Sequence, residues 1–464
     1  FSDYTRKPHA ASAIKTVRLS ALKTQKKAMG FAGKQSSGKM AKISVAKDGL
    51  YYLDASRISA LFGISTNRAK QLIYTNRLAL SSQGSETAYI PAEDNSGVYF
   101  YGKGIDSIYT NENIYWLYNG TGIQMENIYG EGPAPVEYMS FTDTLHAEKD
   151  RYVLTASFVN PESDYWFWDY IVSGSSSMDT KAFTINADGV ANVSSTAYMT
   201  VNLQGFTNTS ANPDHHVVIS LNGTVIGEDK WEGDEQRSLS LAFSQQLLYN
   251  VDNTVTVKGL LDTEAPYSIF YIDSFDLTYQ RLYQAKENSL LLHGEGTVTV
   301  YGFTNPYILV FDVTDPKKPK LNLATTIDGA GGNYSISFNA SSPDFQYLAI
   351  SAEAAVTNIN AWADSPSALS DKRNKADYLI ITTDELSGVA QTLANYRKMQ
   401  RFETKVIKLE DIMDEFNYGI SSPTAISDFL GYAYKNWTKP PKYVVLAGEG
   451  TYDYKDNQGY GDNL

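Results

Sequence analysis

Three apolar runs near the end of the chain, residues 378–382, 405–409 and 443–448, alternate with two amphipathic helical patterns. The runs are nearly continuous rather than alternating, as strands are when both faces of their sheet are covered. Thr382-x-x-Glu385 has capping-box spacing, and Leu386, Val389, Ala390 and Leu393 then recur on one helical face. Ser422 can cap the second helix and Pro423 takes its first position. Ile426, Phe429, Leu430, Ala433 and Trp437 form its stripe, and Pro440-Pro441 ends it. Strand–helix–strand–helix–strand predicts right-handed crossovers and a parallel sheet. Crossovers continuing in one direction put both helices on one face. The other face and at least one edge stay open, so residues 376–464 read as an incomplete α/β parallel-sheet subdomain.

A chain of 464 residues, 42% apolar and 20% charged, is expected to be globular and multidomain. No run approaches eighteen uninterrupted apolar residues, so no transmembrane segment is predicted. With no Cys, the residues supply neither a disulfide framework nor a thiolate. The net charge of -13 disfavours nucleic acid as a partner. Residues 1–40 run against that trend, with nine Lys and Arg against the single acid Asp3. They read as a basic, solvated N-terminal arm lacking the apolar core of a signal peptide.

The many Tyr and the short alternating runs after residue 40 predict β-rich modules. The first spans 41–180 and opens on a hairpin of 42–46 and 50–53, followed by a short helix at 54–62 stopped by Gly63. The second, 181–283, is expected to be a β-sandwich of jelly-roll type. Its strands are 181–185, 197–204, 216–221, 224–227, 238–243, 254–258 and 268–279, with Asn222-Gly223 as a hairpin turn. The third, 284–354, reads as a small Ig-like sandwich, and the polar stretch 355–375 reads as a linker.

Candidate chemistry is sparse. Residues 33–39, GKQSSGK, have P-loop spacing, but Met40 stands where the loop needs Ser or Thr and no strand precedes them. His215-His216 would point to opposite faces of a strand, which suits hydrogen bonding better than one shared ion. No Gly-x-Ser-x-Gly elbow occurs. Tyr165, Trp166, Trp168 and Trp231 could stack on sugar rings, although Trp at two-residue spacing on a strand is more often core. Asp453, Asp456, Asn457, Gly459 and Asp462 offer oxygens to calcium without EF-hand spacing, which favours a solvated turn. No catalytic or cofactor-binding residue is assigned, and the metal content stays open.

Ala376–Thr382 (ADYLIIT), Tyr396-Arg397-Lys398 with Thr404-Lys405-Val406, and Asp411–Phe416 (DIMDEF) with Gly419 follow one another. Then come Pro423-Thr424-Ala425-Ile426, Phe429-Leu430 with Tyr432-Ala433-Tyr434, and Tyr443–Gly448 (YVVLAG). In this order they resemble the opening of the catalytic region of the gingipain-like cysteine peptidases, family C25. Upstream, Lys42-Ile43-Ser44-Val45 with Asp48-Gly49-Leu50-Tyr51, Phe100–Gly104, Tyr165–Trp168, His215-His216-Val217 and Phe311–Pro316 resemble the domains that precede it. The resemblance implies a caspase-like subdomain and peptide-bond hydrolysis by a Cys/His pair. Both residues of that pair belong to a later part of the catalytic region, and the last His of this chain is His293. The chain alone is therefore expected to be inactive. The partners implied are a protein or peptide substrate and the missing C-terminal catalytic part, and the implied location is secreted or cell-surface in a bacterium. The alternative is a surface adhesin or carbohydrate-binding protein whose peptidase-like part is a scaffold.

Overall fold

The computed structural model describes residues 39–135, 140–154 and 163–461. Residues 1–38 of the basic arm, including 33–38 of the P-loop-like stretch, lie outside the described residues.

The first sheet has eight strands, and its path begins at Gly49–Asp54 and ends at Met40–Val45 and Ala361–Asp364. Met40–Val45 pairs antiparallel with Asn113–Asn119 on one side and Ala361–Asp364 on the other. Two helices, Ala55–Phe62 and Thr66–Tyr74, close the core formed by Ile43, Leu53, Phe62, Leu72, Tyr89 and Phe100. The predicted helix is present: the Asp54 side chain accepts the Ser56 and Arg57 N–H groups, and Gly63 ends it at φ 54°. The second helix is not evident from the sequence. The expected opening hairpin does not form, because Gly49–Asp54 pairs with Gly97–Gly102 instead. Asp48, in the supposed turn, accepts the Gly104 N–H at 2.9 Å and ties the connection to that partner's far end. The stretch read as a linker contributes the edge strand Ala361–Asp364, so 355–375 is not merely a connection.

The sandwich packs a five-stranded sheet on a four-stranded one. Phe183, Ile185, Val217 and Val257 face Met199, Val201, Ile272 and Phe275 across a single core. All seven strands expected within 181–283 are present, and Asn222-Gly223 makes the turn between His215–Leu221 and Thr224–Trp231 at φ 49° and 83°. The boundary at 180 does not follow the sheets, because Ser140–Glu148 and Asp169–Val172 both pair with Ile269–Leu282 inside the sandwich.

Residues 289–351 supply five strands of one six-stranded sheet, in place of the expected Ig-like pair of sheets, and Glu126–Ile128 adds the sixth, parallel to Lys320–Asn322. Its long strands, Ser289–Phe303 and Asn333–Ser351, shift register at His293/Gly294 and at Val300/Phe303. Such irregularities bend strands, so the sheet curls around its own core of Leu292, Val298, Val310, Phe338 and Tyr347.

The last sheet is parallel, with Tyr378–Thr382 at the centre between Thr404–Lys408 and Tyr443–Ala447. Ser387–Met399 covers one face through Ala390 and Ala394 against Tyr378 and Ile380. Leu409–Asn417 and Pro423–Asn436 cover the other through Ile412, Phe429 and Ala433 against Leu379 and Ile381. The expectation that the helices share one face is therefore wrong. The second crossover passes back over the central strand, and a right-handed connection of reversed direction emerges on the opposite face. The capping box is also absent: Ser387–Met399 starts after Leu386 with no side-chain cap, and Thr382 is the buried last residue of its strand. Leu386 and Val389 are consequently exposed. Ser422 and Pro423 do open their helix as predicted.

Candidate functional site

An open parallel sheet binds ligands outside the carboxyl ends of its strands, where the strand order reverses. Here the reversal falls between Tyr378–Thr382 and Tyr443–Ala447. The edge below it carries Thr382, whose buried Oγ1 has no partner among the described residues. Asp384 follows, with its Oδ1 2.6 Å from the Lys408 Nζ at the end of the neighbouring strand. Just after the third strand Gly448 and Gly450 leave open space, since a Cβ at either would meet nothing within 4 Å. The edge is thus polar, charged and unfilled. It holds no Cys, and none of the described histidines is near it: His146, His215 and His216 lie on sandwich strands and His293 on the curled sheet.

The loop leaving the third strand is held by the upstream modules. Tyr452 stacks on Trp166 at 6.3 Å and Tyr454 meets Tyr109 edge-on at 5.0 Å. The Lys455 ammonium lies 3.4 Å from Asp106 and 3.9 Å from Asp150. Burial, with Asp164 and Glu148 nearby, pushes the Asp150 carboxyl up to about 7. Asp453, the first residue of the loop with calcium-type oxygens, is buried and accepts the Asn457 and Gln458 N–H groups at 2.8 Å. Asp456 accepts the Gly461 N–H, and Asp462 lies outside the described residues. These carboxylates therefore close their own turn.

Two other groups bring three carboxylates within 4.8 Å of one another: Glu148, Asp150 and Asp164, and Asp364, Glu410 and Asp414. The second surrounds the Lys42 ammonium, which lies 2.5 Å from Glu410, 2.7 Å from Asp414 and 3.5 Å from Asp364. Trp116 and Trp362 flank the same ammonium at 5.3 and 5.8 Å. Sequence reasoning missed this cluster. Its signal was a Lys inside the buried Met40–Val45 strand, whose other side chains are apolar apart from Ser44.

The remaining sequence candidates are structural. His215 is buried and stacks on Trp231 at 4.7 Å. Its Nε2–H donates to the Thr207 and Gly233 carbonyls at 3.0 Å, while Nδ1 accepts from Ser268 at 2.8 Å. His216 points away from it, to Asp262 at 2.7 Å. Tyr165, Trp166, Trp168 and Trp231 are all buried, so none offers a free face to a sugar ring.

Residues 371–464 match the family model described as peptidase family C25. No curated protein matches the chain. Among solved structures, dimeric latent PorU from Porphyromonas gingivalis aligns with TM-score 0.64 and 15% identity. That alignment covers 91% of this chain and 42% of PorU, so the chain spans less than half the length of this relative. A calcium- and xylotriose-bound carbohydrate-binding module, CBM36, aligns over 29% of this chain and 98% of its own at TM-score 0.20 and 12% identity. A β-porphyranase from Bacteroides plebeius covers 53% of this chain and 35% of its own at TM-score 0.20 and 13% identity. Scores that low carry no argument. The chain resembles the gingipain-like peptidases of family C25, with that family's pattern on its closing α/β segment and the fold of PorU over most of its length.

Proposed function

We propose that residues 371–464 form the opening part of a C25-type cysteine peptidase domain seated on β-rich modules, and that the nucleophilic Cys and its His come from chain outside these 464 residues. The observation that carries the reading is a coincidence. The family match covers the same residues as a parallel sheet whose reversal point has an open carboxyl edge. The absence of Cys and the 42% coverage of PorU support placing the chemistry elsewhere. In this reading a thiolate attacks the peptide carbonyl and a thioester acyl-enzyme forms as the amine leaves with a proton from the His. Water then hydrolyses the thioester. Protein or peptide substrates, a caspase-like completion of the sheet, a jelly-roll sandwich and a secreted or cell-surface bacterial location belong to the same reading.

Peptide hydrolysis by the 464-residue chain and by the polypeptide of the full reading frame, each with and without iodoacetamide, tests the proposal. The chain is expected to be inactive and the longer polypeptide to show iodoacetamide-sensitive hydrolysis. Hydrolysis by the chain that survives iodoacetamide, or none by the longer polypeptide, would overturn it.

A further inference from the structure

The cage around Lys42 joins two parts of the molecule that are distant in sequence. Lys42 belongs to the first sheet, as does Asp364, whereas Glu410 and Asp414 project from one face of the Leu409–Asn417 helix. Around it, the Trp116 Nε1–H donates to the Tyr418 carbonyl at 2.7 Å, and Trp362 donates to Glu410 at 3.3 Å. Met40, Ile114 and Trp116 pack with Ile420 beside the polar cage. Lys42 and Asp414 are almost wholly shielded from water, with side-chain exposures of 2% and 11%. The same helix starts directly after Lys408, the residue that pairs with Asp384 at the candidate site's carboxyl edge. A shift of the helix in its socket therefore reaches that edge through one residue.

We infer that this cage is a proton-tightened latch, which fixes the first sheet on the Leu409–Asn417 helix and loosens as the medium turns alkaline. One ammonium faces three carboxylates, and although Glu410 reaches water, Asp364 and Asp414 do not, so the fully ionised cage carries surplus negative charge largely away from water. The groups facing it are Lys42 and Asp364 from the first sheet and Glu410, Asp411, Asp414 and Glu415 from the helix. Lys408 and Asp384 lie at the helix's start. Burial pushes Asp414 up to about 7, against the opposing pull of Lys42. Burial likewise raises Asp411 to about 6. Both values exceed the ordinary 3.8, so the docked state binds these protons more tightly than the open state. Docking therefore strengthens as pH falls through about 7 and weakens as it rises. The other shifted groups act outside this window. Against its burial, Lys42 holds Glu410 below its ordinary 4.5, a contribution lost only in stronger acid. Despite its own burial, Lys42 is held above 10.5 by Asp414 and Glu410, a contribution lost only in strong alkali.

Hydrogen exchange of the 464-residue chain, read at the Leu409–Asn417 helix and at Met40–Val45 and corrected for intrinsic rates, tests the latch. Protection at both segments is expected to be about tenfold higher at pH ~6 than at pH ~8.5, the ratio for one proton with a pKa near 7. Asp414→Asn keeps an acceptor for Lys42 without the charge. It should hold the acid-level protection at both pH values. Lys42→Met should lower protection of the helix at both. Protection that does not change with pH in the parent chain, or an Asp414→Asn chain with the parent's full pH dependence, would overturn the inference.

Discussion

His146 and His215 sit in the same sandwich and are driven in opposite directions by their surroundings. His146 is half-exposed and bridges Asp276 at 2.6 Å and Glu148 at 2.9 Å, and these hydrogen bonds push it up to about 10. His215 is buried among carbonyl groups, and burial lowers it from 6.5. The consequences for stability have opposite signs. What His146 contributes is complete below its ordinary 6.5 and is lost as pH rises through about 10. His215 must stay neutral, so the sandwich loses stability as pH falls through 6.5. An NMR titration of the imidazole resonances checks both: His146 should remain protonated throughout pH ~5–8, and His215 should titrate below its ordinary 6.5. A His215 that titrates at its ordinary value would contradict the burial argument. The sequence indicated only that the adjacent His pair would part to opposite faces. The carbonyls that fix the tautomer, from Thr207 and Gly233, come from loops whose approach no local pattern encodes.

At the scale of elements, local grammar was readable where it was self-contained. The Asn222-Gly223 turn needs φ > 0 at both positions, and the sequence supplies two residues suited to it. Ser422 and Pro423 likewise specify a helix start without reference to the rest of the chain. Where a partner decides, the local signal failed. Thr382 and Glu385 have cap spacing, yet Thr382 is claimed by the central strand of the parallel sheet. The hairpin expected at 42–53 lost to longer antiparallel partners on each strand. The same contrast sets an energetic expectation for the Pro423–Asn436 helix. Phe429 is fully buried, edge-on to Phe416 and Trp437 at 5.4 and 5.7 Å. Phe429→Ala should cost about 3–5 kcal/mol in a urea unfolding series, because the cavity it leaves lies between a helix and a sheet that cannot collapse. A loss under about 1 kcal/mol would mean that this face is looser than its packing indicates.

For the whole molecule, the sequence placed the family pattern on the right residues and left the assembly unread. Strand order was the missing quantity. The apolar runs at 378–382, 405–409 and 443–448 do not say which of them is central, so the reversal, and with it the covering of both faces, was beyond reach. The Lys42 cage was hidden for a related reason, since its carboxylates stand more than 300 positions away in the chain. Among the described residues no strand pairs with the outer side of Tyr443–Ala447. Tyr443, Val444 and Leu446 on the third strand are 53%, 41% and 62% exposed. Exposed apolar strand edges of this kind invite another strand. The central claim, that this sheet is the opening part of a larger peptidase domain, is tested most directly by hydrogen exchange at Tyr443–Ala447. The comparison is between the 464-residue chain and the polypeptide of the full reading frame. The account predicts strong protection of the outward-facing amides of this strand in the longer polypeptide and fast exchange in the shorter one. Equal exchange in both would contradict it.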